Sequence, residues 1–178
     1  MTSSSTRTLS PRSDLTVGAV TLADVLTGQR DLYRALLGIA TQEQDAIVEG
    51  DVERLTRLVE QKEQVLDHLR AMETERMTAL VAIEMATGIP ADTATVSEIA
   101  THLPTEIADE LERAGRELRA EAVALEEAHA VNARLLRNSR ALVDRWIHYL
   151  RTVLAGSLYT SEGDSPSVEG GRTLDRSA

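Results

Sequence analysis

Cysteine is absent from the 178 residues, which removes disulfides, thiolate zinc sites and cysteine nucleophiles and suits a reducing, cytoplasmic compartment. Phenylalanine is absent too. One tryptophan, Trp146, and three tyrosines are the whole aromatic content, and the chain holds only 4 prolines and 10 glycines. A core must therefore be built from aliphatic side chains on long helices, in keeping with the abundance of Glu, Arg, Leu and Ala. No run of about eighteen apolar residues occurs, so no membrane insertion is expected. Positive charge is scarce: 19 Lys and Arg stand against 29 Asp and Glu, a formal net charge of −10, which argues against a nucleic-acid partner.

Catalytic patterns are missing as well. No Gly-rich phosphate loop, nucleophile elbow or HExxH motif is present, and adjacent pairs such as Glu126 and Glu127 do not face one another on a helix. Glu126-x-x-His129 has the spacing of a di-iron carboxylate motif, but such a site needs a second copy of it. His68, His102 and His148 have no acidic residue three positions earlier. The expectation is a non-enzymatic protein with no metal and no cofactor.

What is present is helical periodicity. A first helix fits residues 21–49, with Leu22, Val25, Leu26, Leu32, Tyr33, Leu36, Ile39, Ala40, Ala46 and Ile47 in a seven-residue rhythm. Gly50 supplies a left-handed stop and Asp51 a cap, so tight a connection that the next helix must return antiparallel. That second helix, residues 52–87, keeps the rhythm from Leu55 to Ile83 and stops at Gly88 and Pro90. Thr95 and Glu98 have capping-box spacing and start a short helix over 96–102. Pro104 opens a third long helix to Ala155. The expected fold is all-α: an antiparallel hairpin plus a long third helix, bundle-like, with a short connector helix. A Ser/Thr-rich leader over 1–20, without a signal peptide's apolar stretch, and a Gly/Ser-rich tail over 159–178 are expected to be disordered.

At about 1.5 Å per residue the second helix spans roughly 54 Å and the third roughly 77 Å, an excess of about fifteen residues. If the third helix runs antiparallel to the second from the connector, its end passes the Gly50-Asp51 turn and lacks a covering layer. That end keeps a 3,4 pattern of apolar residues, Leu142-Val143, Trp146-Ile147, Leu150 and Val153-Leu154, and it is basic: five Arg against one Asp over residues 128–155. One core position of the helix reads Leu111, Leu118, Leu125, Asn132, Ser139, Trp146, Val153. Its polar members weaken packing but fix register. The surplus seam either bends back on the chain, pairs with a second copy in a structural homo-oligomer, or takes a different protein as partner.

Ala46-Ile47-Val48-Glu49-Gly50-Asp51, with Leu55 and then Lys62-Glu63, resembles the helical hairpin of the FlgN-type flagellar export chaperones. Asn132-Ala133-Arg134-Leu135-Leu136 and Tyr159-Thr160-Ser161-Glu162-Gly163 are similar to that family's Asn-rich, Leu-Leu third helix and its closing Tyr-x-x-x-Gly element. The resemblance implies a cytoplasmic chaperone of flagellar type III export. Such a chaperone binds the C-terminal helical segments of hook-filament junction proteins, prevents their early assembly and helps deliver them to the export gate or ATPase. On that reading Leu135, Leu136, Leu142, Val143, Trp146, Ile147, Leu150 and Leu154 form the client-binding groove by helix-in-groove recognition. Arg137, Arg140, Arg145 and Arg151 steer acidic client residues. Tyr159 is the candidate contact with the export gate. A chaperone of another secretion system would share the acidic charge and the lack of catalytic residues.

Overall fold

The structure, a computed structural model, describes residues 11–161, with side-chain surroundings for 13–152. Four helices follow one another: α1 (Pro11–Glu49), α2 (Val52–Thr87), α3 (Val96–Ala100) and α4 (Thr105–Ser161). There is no strand among the described residues, and the fold is all-α. Two compact units divide the chain, one ending at Leu136 and the other starting at Arg137.

In the first unit the turns are set by local chemistry. Gly50 takes φ 72°, and the Asp51 N–H donates to the Ala46 carbonyl at 2.9 Å, closing α1 with a Schellman bond. The Asp51 carboxylate accepts from the Arg54 N–H at 2.8 Å and caps α2. Gly88, at φ 78°, ends α2. The capping box of α3 is complete: Thr95 Oγ1 accepts from the Glu98 N–H at 3.2 Å, and the Glu98 carboxylate accepts from the Thr95 N–H at 2.9 Å.

Two apolar clusters fill this unit. The first joins Leu15, Leu22, Ala23 and Leu26 of α1 to Ala79, Leu80 and Ile83 of α2, Ile99 of α3, and Leu111 and Ala114 of α4. The second joins Leu36, Ile39, Ala40 and Ala46 to Leu58 and Leu125. The early part of α1 thus meets the late part of α2, as an antiparallel hairpin requires, while α4 ascends parallel to α1 and antiparallel to α2. Leu22, Ile83, Ile99 and Leu111 are the largest fully buried side chains, so aliphatic packing does carry the core.

Three boundaries differ from the periodicity. Helix α1 begins at Pro11 rather than Thr21, because Leu15 and Ala19 extend the 3,4 stripe and are buried; Pro at a helix start loses no hydrogen bond. Helix α3 ends at Ala100, where Thr101 and His102 turn back on the carbonyls of Glu98 and Ile99. Helix α4 runs through Gly156 to Ser161, since glycine weakens a helix without stopping it unless it turns left-handed. The helix therefore includes Tyr159, which the sequence placed beyond it. The proposed flexibility of 162–178 and of 1–10 lies outside the described residues. Val59, which lies at a 3,4 spacing in the α2 stretch from Leu55 to Ile83, is exposed.

Ion pairs tie α1 to α4: Arg30 to Glu117 at 2.5 Å and Arg34 to Glu121 at 2.6 Å. Hydrogen bonds from Arg30, then from Arg113, hold the Glu117 carboxyl below its ordinary pKa of 4.5. A carboxylate whose pKa falls on folding stabilises the fold above its unfolded value. That contribution disappears as pH drops through the lowered folded value. Thermal unfolding measured against pH should therefore show a loss of stability below about pH 4.5 that is shallower in Glu117→Gln than in the parent. Equal slopes would mean the bridge contributes nothing to the acid response.

Candidate functional site

The interior of the first unit holds one polar clasp. Glu43 of α1 and Asn132 of α4 are both buried, and Lys62 of α2 reaches in to place its Nζ 2.5 Å from Glu43 Oε1. Asn132 Nδ2 donates to the Ala40 carbonyl at 2.7 Å and lies 3.5 Å from Glu43 Oε2, while Asn132 Oδ1 has no partner. The clasp engages all three long helices at a single level. Sliding α4 by one turn would separate Asn132 from Ala40, the contact that a register role for a polar seam position requires. Lys62 and Asn132 both stood out in the sequence; Glu43 did not, because a Glu in an acidic helix carries no signal until its burial is known.

The second unit, considered by itself, contains the C-terminal part of α4. Its side chains are exposed throughout residues 137–152. Leu142 is 50% exposed, Val143 54%, Trp146 58%, Ile147 42% and Leu150 52%, values that core positions of a bundle never reach. At 100° per residue these five fall within an arc of roughly 140°, so they form one stripe along the helix. Leu136 is also exposed, and Leu135 is half-buried; both belong to the first unit. The side chains of Leu154 and Tyr159 lie outside those described, although the helix backbone passes through both positions.

Arg137, Arg140, Arg145 and Arg151 are exposed. Arg140 is 3.9 Å from Asp144, a solvent-facing pair worth little, and Arg145 Nε donates to the Ala141 carbonyl at 3.3 Å. By the same angular count Arg140 and Arg151 edge one side of the stripe, Arg145 edges the other, and Arg137 lies behind. A single helix presents a face, not a cleft, so the sequence's groove becomes a stripe over these residues.

One member escaped the periodic count. Tyr149 is 59% exposed and meets Trp146 edge to face, with ring centroids 6.0 Å apart. The pair and Leu142 frame a shallow hollow of about 300 Å³ beside Arg145. Its signal was available as the i+3 neighbour of the only tryptophan, but counting aliphatic positions alone passed over it.

No group of three or more metal-ligating side chains occurs among the described residues, and no described helix is long and apolar enough to cross a membrane. Among the described residues the first unit is a helical bundle with a buried polar clasp, and the second, taken by itself, carries an apolar stripe in solvent. Comparison with family models gives a match to the FlgN protein family over residues 19–167. That match covers most of the chain, which therefore belongs to the FlgN family, whose members are chaperones of flagellum assembly. No curated protein and no solved structure matches it.

Proposed function

We propose that the protein is a cytoplasmic flagellar type III export chaperone that holds the C-terminal helical segments of hook-filament junction proteins, prevents their premature assembly and helps deliver them to the export apparatus. The observation that carries this reading is the exposed stripe of α4. In the first unit the same helix buries Leu111, Ala114 and Leu125, yet the side chains from Leu142 to Leu150 stand in solvent with equally apolar chemistry. Burying one large apolar side chain is worth about 1.5–3 kcal/mol, so four aliphatic side chains and one tryptophan left open form a large reserve for an amphipathic partner helix.

A client whose own assembly depends on packing helices would find in this stripe a temporary replacement for its neighbours. Leu135, Leu136, Leu142, Val143, Trp146, Ile147, Leu150 and Leu154 supply apolar contact. Arg137, Arg140, Arg145 and Arg151 raise the on-rate for a client segment flanked by acids, an effect that weakens with salt. Tyr159 is assigned to the export gate or ATPase rather than to the client.

The test is co-purification from the native cell, followed by identification of the bound protein and of the segment protected from proteolysis. A junction protein held by its C-terminal helix is the expected result. A different class of secreted protein would assign the chaperone to another secretion system, and a stoichiometric homo-oligomer without client would make it a scaffold. Tyr159→Ala should leave client affinity intact while export falls; unchanged export would remove Tyr159 from the delivery step.

A further inference from the structure

A large cavity lies far from the stripe in sequence, along the outside of the helical hairpin. It measures about 770 Å³ and runs between α1 and α2, past Val17, Gly18 and Thr21 on one wall and Thr78, Ala82 and Met85 on the other. Small residues make its floor. A Cβ on Gly18 would stand 3.1 Å from Ile83 Cγ1, so the two helices approach closely here and their side chains leave a trough rather than a ridge. The trough is apolar and open: Val17 is 58% exposed and Met85 85%. Its only charged lining residues are Asp14 and Glu75, both acidic.

A trough floored by small side chains receives a ridge of large ones, and an acidic rim selects basic flanks. The chain itself holds a row of large exposed side chains, Leu142, Trp146 and Tyr149 at 4,3 spacing, with Arg145 beside them. We infer that the hairpin trough of one molecule seats the C-terminal part of α4 from a second copy, large side chains over Gly18, Thr78 and Ala82, and Arg145 against Glu75. The two surfaces differ, so the contact is heterologous: it closes as a reciprocal dimer or continues head to tail. It is also weak and salt-dependent, because few charges and one trough carry it.

Sedimentation velocity of the full chain over a wide concentration range, at low and high salt, tests this. The parent should associate reversibly and less at high salt. Glu75→Arg and Arg145→Glu should each raise the dissociation constant roughly fivefold, by turning an attraction into a repulsion, and the double charge swap should recover the parent value. Glu75 makes no ion pair among the described residues and both side chains are exposed, so neither variant threatens the fold. A parent that stays monomeric throughout would overturn the inference. So would an Arg145→Glu effect without a matching Glu75→Arg effect, which would mean stripe against stripe, or a double variant no better than the singles.

Discussion

Replacing Leu142 and Ile147 together by glutamate is expected to abolish client binding while the far-UV circular dichroism remains helical. Both side chains stand in solvent, at 50% and 42% exposure, so the folded protein loses no core contact by the change. In a complex the same positions would be desolvated. Each substitution then forfeits about 1.5–3 kcal/mol of apolar burial and places a carboxylate against the partner's apolar face. The two together should weaken binding by more than about a hundredfold, since every 1.4 kcal/mol is tenfold in affinity. Trp146 provides the readout: as the only tryptophan, on the same stripe, it should shift its emission to the blue when a client C-terminal segment is titrated into the parent and stay unchanged in the variant. Undiminished binding by a folded double variant would remove the stripe from the client site.

The second large effect concerns the clasp, where two substitutions should affect stability very differently. Lys62→Met leaves the Glu43 carboxylate buried beside Asn132 without its cation, and breaking a mostly buried pair from one side should cost about 2–3 kcal/mol. Asn132→Leu acts differently. It gives up the hydrogen bond to the Ala40 carbonyl and the longer one to Glu43 Oε2, but also removes the partnerless Oδ1, whose desolvation costs about 1–3 kcal/mol, and leaves Glu43 with Lys62. It should be neutral or stabilising by about 1 kcal/mol while the α4 register becomes less strictly defined. Chemical denaturation gives both values. Equal losses would mean that the clasp stabilises by packing volume and not by charge.

These two cases mark how far the sequence is readable. Gly50-Asp51, Gly88 and the Thr95-Glu98 box act through their own backbones, and every turn they predict is present in the fold. The start of α1 was hidden because Leu15 follows a stretch rich in Ser, Thr and Arg, and only the place of Leu15 in the first apolar cluster and the burial of Ala19 reveal them as helical core. Asn132 could be read as a polar interruption of the seam. Its partners could not, since Ala40 and Glu43 lie about ninety positions away and meet it only once three helices share a register. The apolar residues of the stripe other than Tyr149 were legible from spacing, and their exposure was expected from helix lengths. The hairpin trough was not legible, because which flank of α1 and α2 remains open depends on where α4 settles.

The two-residue turn at Gly50-Asp51 also orders events in time. Residues on either side of it, Ala46 and Leu55 among them, join across the shortest loops in the chain, whereas Leu15 and Ile83 must close a loop several times longer. Loop-closure entropy rises with that length, so the cluster nearest the turn assembles first and the hairpin zips outward. On a ribosome this favours a hairpin that is already closed, with Asp51 capping α2, before the segment bearing Trp146 has been synthesised.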